Sequence, residues 1–201
     1  MDTEEIEGEA EALYARASID PTHPPRAWEL ARALGVPVEF FVGLPCAACS
    51  LRTSAGHRIR LRKGLSAAGA HWLAGHELAE ITWDEKRPRP WGDPERLSNR
   101  LAASIVAPRA AMRRVVGELG FDPSAIAAAL TVSTKTAALR LGELGLAGVA
   151  ILDGLWITTR GPVEWPPAWE LRRLVAHREL PRDVQRFETA SGAVILIADP
   201  P

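Results

Sequence analysis

The stretch between residues 66 and 106 constrains this chain more than any other. From Ser66 the sequence is rich in Ala and Leu, and it reads as one helix through residue 81 or 83. Gly69 and Gly75 lie inside it, each costing up to ~1 kcal/mol against Ala. The run Lys86-Arg87-Pro88-Arg89-Pro90-Trp91-Gly92 cannot continue a helix. Asp93-Pro94 then supplies an N-cap and a first-turn proline for a second helix over residues 94–106, which Pro108 ends.

The flanking sequence predicts a mixed α+β fold. Asp2, with Glu5 three residues on, caps a helix over 3–18. Pro24-Pro25 opens a short helix that stops at Gly35, a residue suited to a left-handed cap. Residues 36–42 are β-branched and apolar, and Arg58-Ile59-Arg60-Leu61-Arg62 alternates with period two, so both read as strands with the arginines facing water. Residues 109–119 and 122–146 have helical pattern, the latter divided near Thr131-Val132-Ser133. After Gly148 short strands are expected at 149–152, 156–158, 185–188 and 193–198, with a helix near 167–175. The domain expectation is therefore 1–108, then a helical subdomain over 109–146, then a β-rich unit over 147–201.

Charge excludes some functions. With 24 Lys+Arg against 25 Asp+Glu over 201 residues, the chain lacks the basic excess of a dedicated nucleic-acid binder. No apolar run approaches the ~20 residues that cross a bilayer. The acidic opening Met1-Asp2-Thr3-Glu4-Glu5 is unlike a secretory signal, so a cytoplasmic protein is expected. Cys46 and Cys49 form one C-x-x-C with only His57 nearby, too little for a structural zinc site. They read as small residues of a loop between extended segments.

Chemistry concentrates in Gly75-His76-Glu77-Leu78-Ala79-Glu80. Positions four apart on a helix lie about 40° from each other, so His76 and Glu80 can aim a nitrogen and a carboxylate at one ion. The pattern is the H-E-x-x-H metal motif with glutamate at the second histidine, and Glu77 occupies the place of the general base. Glu95 on the next helix is the candidate third ligand, with Asn99 one turn later on the same face; the second helix resembles the gluzincin layout, which implies a glutamate ligand and a support for the imidazole at Asn99. His71 stands about 140° from His76 around the axis and cannot share its ion, so a capping or salt-link role is expected. Trp91, between the two helices, is a candidate substrate contact.

His76, Glu77, Glu80, Glu95, Asn99, Leu101, Ala102, Ala103 and Pro108 together resemble the pattern of the ImmA/IrrE-type metallopeptidases, H-E-x-x-H followed by E-x-x-x-N-x-F-A-A and a proline. The likeness spans about residues 5–145, with Glu80 and Leu101 as departures. It implies zincin-like helices on a small sheet, and a zinc-dependent endopeptidase that cuts a helix-turn-helix repressor. His76, Glu80 and Glu95 would be the ligands. A carboxylate at residue 80 adds negative charge to the ion, lessens its pull on water, and tilts preference from zinc toward harder ions such as manganese. A pseudoenzyme that keeps the fold and binds a partner protein is the main alternative. Residues 122–143 also resemble a helix-turn-helix in which Lys135 and Arg140 are the only basic residues of the second helix, so DNA binding is a minor alternative.

Overall fold

The computed structural model describes residues 1–86 and 93–199. The fold is α+β, with α1 (Thr3–Arg16), α2 (Ala27–Ala33), β1 (Val38–Phe41), β2 (Ala48–Thr53), β3 (Gly56–Arg62), α3 (Ala67–Glu85) and α4 (Pro94–Val106), followed by α5 (Arg109–Leu119), α6 (Pro123–Leu130), α7 (Thr134–Glu143), β4 (Gly148–Asp153), β5 (Trp156–Arg160), α8 (Ala168–His177), β6 (Val184–Glu188) and β7 (Val194–Ala198). The chain forms two compact units, Met1–Arg114 with Leu130–Val132, and Val115–Ala129 with Ser133–Pro201.

In the first unit a three-stranded sheet of order β1-β3-β2 has β1 parallel and β2 antiparallel to the central strand. Ile59 and Leu61 of β3 are fully buried, and α3 packs against β2 and β3. The alternation of that strand therefore works as expected, with apolar residues toward the helices and Arg58, Arg60 and Arg62 on the opposite face. The element that sequence reasoning missed is β2. The sequence around Cys46 and Cys49 reads as a loop, but residues 48–53 pair along their whole length with β3 across a two-residue turn at Ser54-Ala55.

Helix starts follow their caps. Asp2 accepts from the Glu5 amide at 2.9 Å, and Glu5 returns the bond at 2.8 Å. Asp93 accepts from the Glu95 amide, with Pro94 in the first turn. Gly35 closes α2 at φ +81°, a conformation other residues adopt at a cost.

Helices α3 and α4 lie in contact along their length, and Gly75 is what permits it. A Cβ there would sit 2.9 Å from Val106 Cγ1 and 3.5 Å from the Ala102 carbonyl oxygen. The helix thus accepts a residue of poor propensity in exchange for close approach. On the other side of α4, Tyr14 of α1 donates to the Ile105 carbonyl at 2.7 Å, and Ser104 donates to the buried Glu7 carboxylate at 2.6 Å. These ties fix α4 in its rotation, and so fix where Glu95 and Asn99 stand.

The second unit is built on an antiparallel sheet of order β5-β4-β7-β6. One face carries Ala150, Leu152 and Leu196, which cluster with Leu171 of α8. Helix α7 packs against β4, β5 and β7. Sequence grouping set α7 with α6 in a helical subdomain of its own. In the structure the buried face of α7, Ala137, Ala138 and Leu141, finds its cover on the sheet.

Candidate metal centre

His76 points from α3 toward α4, its side chain 13% exposed. Its Nδ1 lies 3.1 Å from the Asn99 side-chain oxygen. Asn99 in turn donates its amide N–H to Glu95 Oε1 at 3.0 Å, which fixes the amide with oxygen toward the imidazole. An amide oxygen only accepts, so Nδ1 carries the proton and the Nε2 lone pair faces outward. Glu80 Oε1 stands 3.5 Å from that Nε2, and Glu95 Oε2 stands 3.7 Å from it.

One ligand atom each from His76, Glu80 and Glu95 therefore lies within 4.8 Å of the others, and this group can hold a metal ion. Three electron-rich atoms facing one another at such distances would be favoured by positive charge between them, which a cation would supply. The donor set suits a divalent ion, with one nitrogen, two carboxylates and Asn99 supporting the imidazole from behind. All four expected residues of the centre come together.

Glu77 lies on the adjoining side of α3, only 7% exposed. It accepts hydrogen bonds from the hydroxyl and the amide of Ser50. Burial holds its carboxyl above the ordinary carboxylate range, and the Glu80 charge adds to that. The Ser50 bonds and His76 pull the other way. The balance leaves a carboxylate more basic than a solvated one.

Ser50 is the site residue that sequence reasoning did not find, and β2 explains both its position and the oversight. The Arg62 amide donates to the Ala47 carbonyl at 2.9 Å, which sets the phase of the antiparallel ladder. In that phase residues 49 and 51 exchange bonds with β3, while residues 48, 50 and 52 direct their amides to the outer side of this edge strand. Ser50 shares its face with Ile59, toward α3, so its hydroxyl and its free amide both reach Glu77. A cavity of ≈ 170 Å³ opens beside these groups, lined by Ser50, Glu80, Trp83, Asp84, Pro94, Leu97 and Ser98.

His71 has the capping role expected of it. It is 1% exposed, and its Nδ1 accepts the Ala27 amide at 2.8 Å, at the first turn of α2. Its other nitrogen is hydrogen-bonded to the Val106 backbone. Burial and the Arg26 charge push its pKa down to about 4. Trp91, the expected substrate contact, lies outside the described residues.

The two basic residues of the helix-turn-helix-like pair are not presented to a groove. Arg140 is 1% exposed and lies 3.3 Å from the Glu143 carboxylate. Lys135 is half-exposed but donates to Asp153 at 2.9 Å. Among the described residues, no helix is long and apolar enough to cross a membrane.

No family model matches the chain, and no curated protein matches it. One solved structure is informative. The chain is similar to a Mycobacterium tuberculosis transcriptional regulator, with a TM-score of 0.64 over 97% of this chain and 88% of that one. At 16% identity the likeness shows a shared fold.

Proposed function

We propose that this protein is a metal-dependent endopeptidase of the ImmA/IrrE type, acting in the cytoplasm on a protein substrate, a helix-turn-helix repressor by the family resemblance. The observation that carries the reading is the convergence of His76, Glu80 and Glu95 beside a buried, elevated carboxylate at Glu77. Zinc is the first candidate for the ion and manganese the second. When bound, the ion supplies Lewis-acid polarisation of the carbonyl and the water.

The chain's own residues do the rest. Glu77 takes the proton from the attacking water and passes it to the leaving amine, with Ser50 holding the carboxylate in place. Asn99 keeps Nδ1 of His76 protonated and Nε2 turned to the donors. The cavity beside Glu80 has room for a side chain of the substrate. With two carboxylates in the donor set, a divalent ion is neutralised outright, so slower turnover is expected than from a site with two imidazoles and one carboxylate.

The test is Glu77→Gln in metal-loaded protein, assayed against helix-turn-helix repressors. Lost cleavage with retained ion supports the proposal, and wild-type cleavage overturns it. The same cluster also closes on itself as an ion pair if His76 carries both protons, which favours the reading as a non-catalytic binding module. Metal-free wild-type protein that binds its partner without cutting it would establish that second reading. The name of the M. tuberculosis neighbour touches the DNA-binding alternative, while the burial of Arg140 counts against it. Duplex DNA retention that disappears with Lys135→Ala would revive it.

A further inference from the structure

The C-x-x-C pair is absorbed by neither the fold nor the proposed catalysis. Cys46 is exposed in the bend that leads into β2, and Cys49 is half-buried on that strand. Both thiols are free, three residues apart, and Cys46 lies near enough to Cys49 to act on its thiol. Cys49 is opposite Arg60 in a bonded pair of the ladder, so its side chain lies on the sheet face away from Ser50 and Ile59, with the arginines. Its chain neighbour is Ser50, whose amide and hydroxyl hold Glu77, and the Glu77 charge itself reaches Cys49.

Two neighbouring thiols, one open to solvent and the other half-buried, make a peroxide-sensing arrangement with one sulfur to be oxidised first and one to resolve it. We propose that Cys46 and Cys49 are a reversible oxidation site that closes to an intrachain disulfide and clamps the start of β2 beside Glu77. The Cys46 thiolate attacks a peroxide oxygen, breaking the O–O bond to give Cys46 sulfenic acid and one hydroxide or alkoxide, which the released thiol proton converts to water or alcohol. Cys49 sulfur then attacks the sulfenic sulfur, expelling a second oxygen as water and forming the S–S bond. Two thiols are oxidised by two electrons and one peroxide is reduced.

Burial, Cys46 and Glu77 hold the Cys49 thiol above its ordinary range, with Arg60 opposing them. A raised thiol is the poorer nucleophile towards peroxide, which leaves Cys46 as the sulfur oxidised first. Closure ties residue 46 of the bend to residue 49 of the strand. The ring includes the Ala47 carbonyl, which accepts the first ladder bond from Arg62, and ends one residue before Ser50. The disulfide state thus restrains the segment that positions the Glu77 carboxylate. The inference does not depend on the chain being a peptidase.

The experiment uses the reduced full-length protein, hydrogen peroxide at a few equivalents, and intact mass with thiol counting. The expected result is loss of both thiols and of about 2 Da in a monomer, reversed by dithiothreitol. Phenylarsine oxide, which bridges adjacent dithiols, is expected to bind the reduced wild type at one per chain and to spare Cys46→Ser and Cys49→Ser. Native-state hydrogen exchange should show slower opening of residues 47–50 in the oxidised form. Both thiols surviving peroxide, intermolecular dimers, or accumulation of sulfinic acid on Cys46 in place of the disulfide would overturn the proposal. Unchanged exchange at 47–50 would overturn the clamp.

Discussion

Helix α3 carries two histidines five residues apart, and they meet opposite fates. At the His71 end both ring nitrogens are taken by backbone, one by the Ala27 amide and the other by Val106, and the ring is sealed from water. At the His76 end one nitrogen is held by Asn99, while the other is aimed at two carboxylates that are themselves partly exposed. The first imidazole is an architectural part that works only when neutral. The second has one nitrogen held in reserve, and that reserve separates a ligand from a cap.

The largest effect that sharpens this contrast is at the open end. Glu77→Gln should lower peptidase kcat by roughly 10²–10⁴-fold, about 3–5 kcal/mol in the barrier, with the ion retained. Steady-state kinetics beside elemental analysis separate the two readouts. Equal loss of ion and activity would mean that Glu77 belongs to the donor set instead.

At the closed end the expected effect is on stability. Folded His71 stays neutral down to about pH 4, while in the unfolded chain it titrates near its ordinary ~6.5. Between those values the unfolded state takes up a proton that the folded state refuses. Stability therefore falls as the pH drops from ~6.5 towards ~4, by about 3 kcal/mol in all. Urea unfolding across that range should show this slope in the wild type and its absence in His71→Gln. An identical slope in both proteins would remove His71 from the account.

Asn99→Ala should sit between the two ends in character. It frees Nδ1 of His76 and one oxygen of Glu95, and metal affinity is expected to fall about 10–100-fold with little change in fold stability. Titration calorimetry with zinc or manganese reads this directly. The smallest effect is expected at Lys135→Ala, whose exposed pair with Asp153 is worth within about 0.5 kcal/mol. Thermal unfolding that shifts by several degrees would show that α7 depends on that pair.

Much of this arrangement is legible in the residues themselves. Caps and breakers mark the helices: Asp2 with Glu5, and Asp93-Pro94 at a start that the structure places at the same residue. The i, i+4 spacing of His76 and Glu80, and of Glu95 and Asn99, puts each pair on one helix face, because helical periodicity fixes which side chains share a face, while the joining of the two pairs is what the family resemblance implies. What escapes is non-local. Ser50 matters through its place on a sheet edge, and neither that edge nor the ladder phase is written in residues 48–53 alone. The alternation Cys49-Ser50-Leu51-Arg52 is short and ambiguous, and the pairing partner decides it. Gly75 is similar. Its sequence shows only a propensity cost, and the reason for it, Val106 at 2.9 Å from an added Cβ, lies on another helix.

Helix α7 makes the complementary point. With only two basic residues it makes a poor nucleic-acid helix when read in order, and in the structure Arg140 lies on the inward stripe with Ala137 and Leu141, three and one positions away. A long aliphatic stem can serve a core provided its guanidinium finds a carboxylate, as it does at Glu143.

The most direct test of the central claim is metal content of the purified, unchelated protein, before and after loading with zinc and manganese, beside folded Glu80→Ala and Glu95→Ala. About one ion per chain in the wild type, lost in both variants, is the result expected from three converging donors. A folded wild-type protein that takes up neither ion at any loading would contradict it.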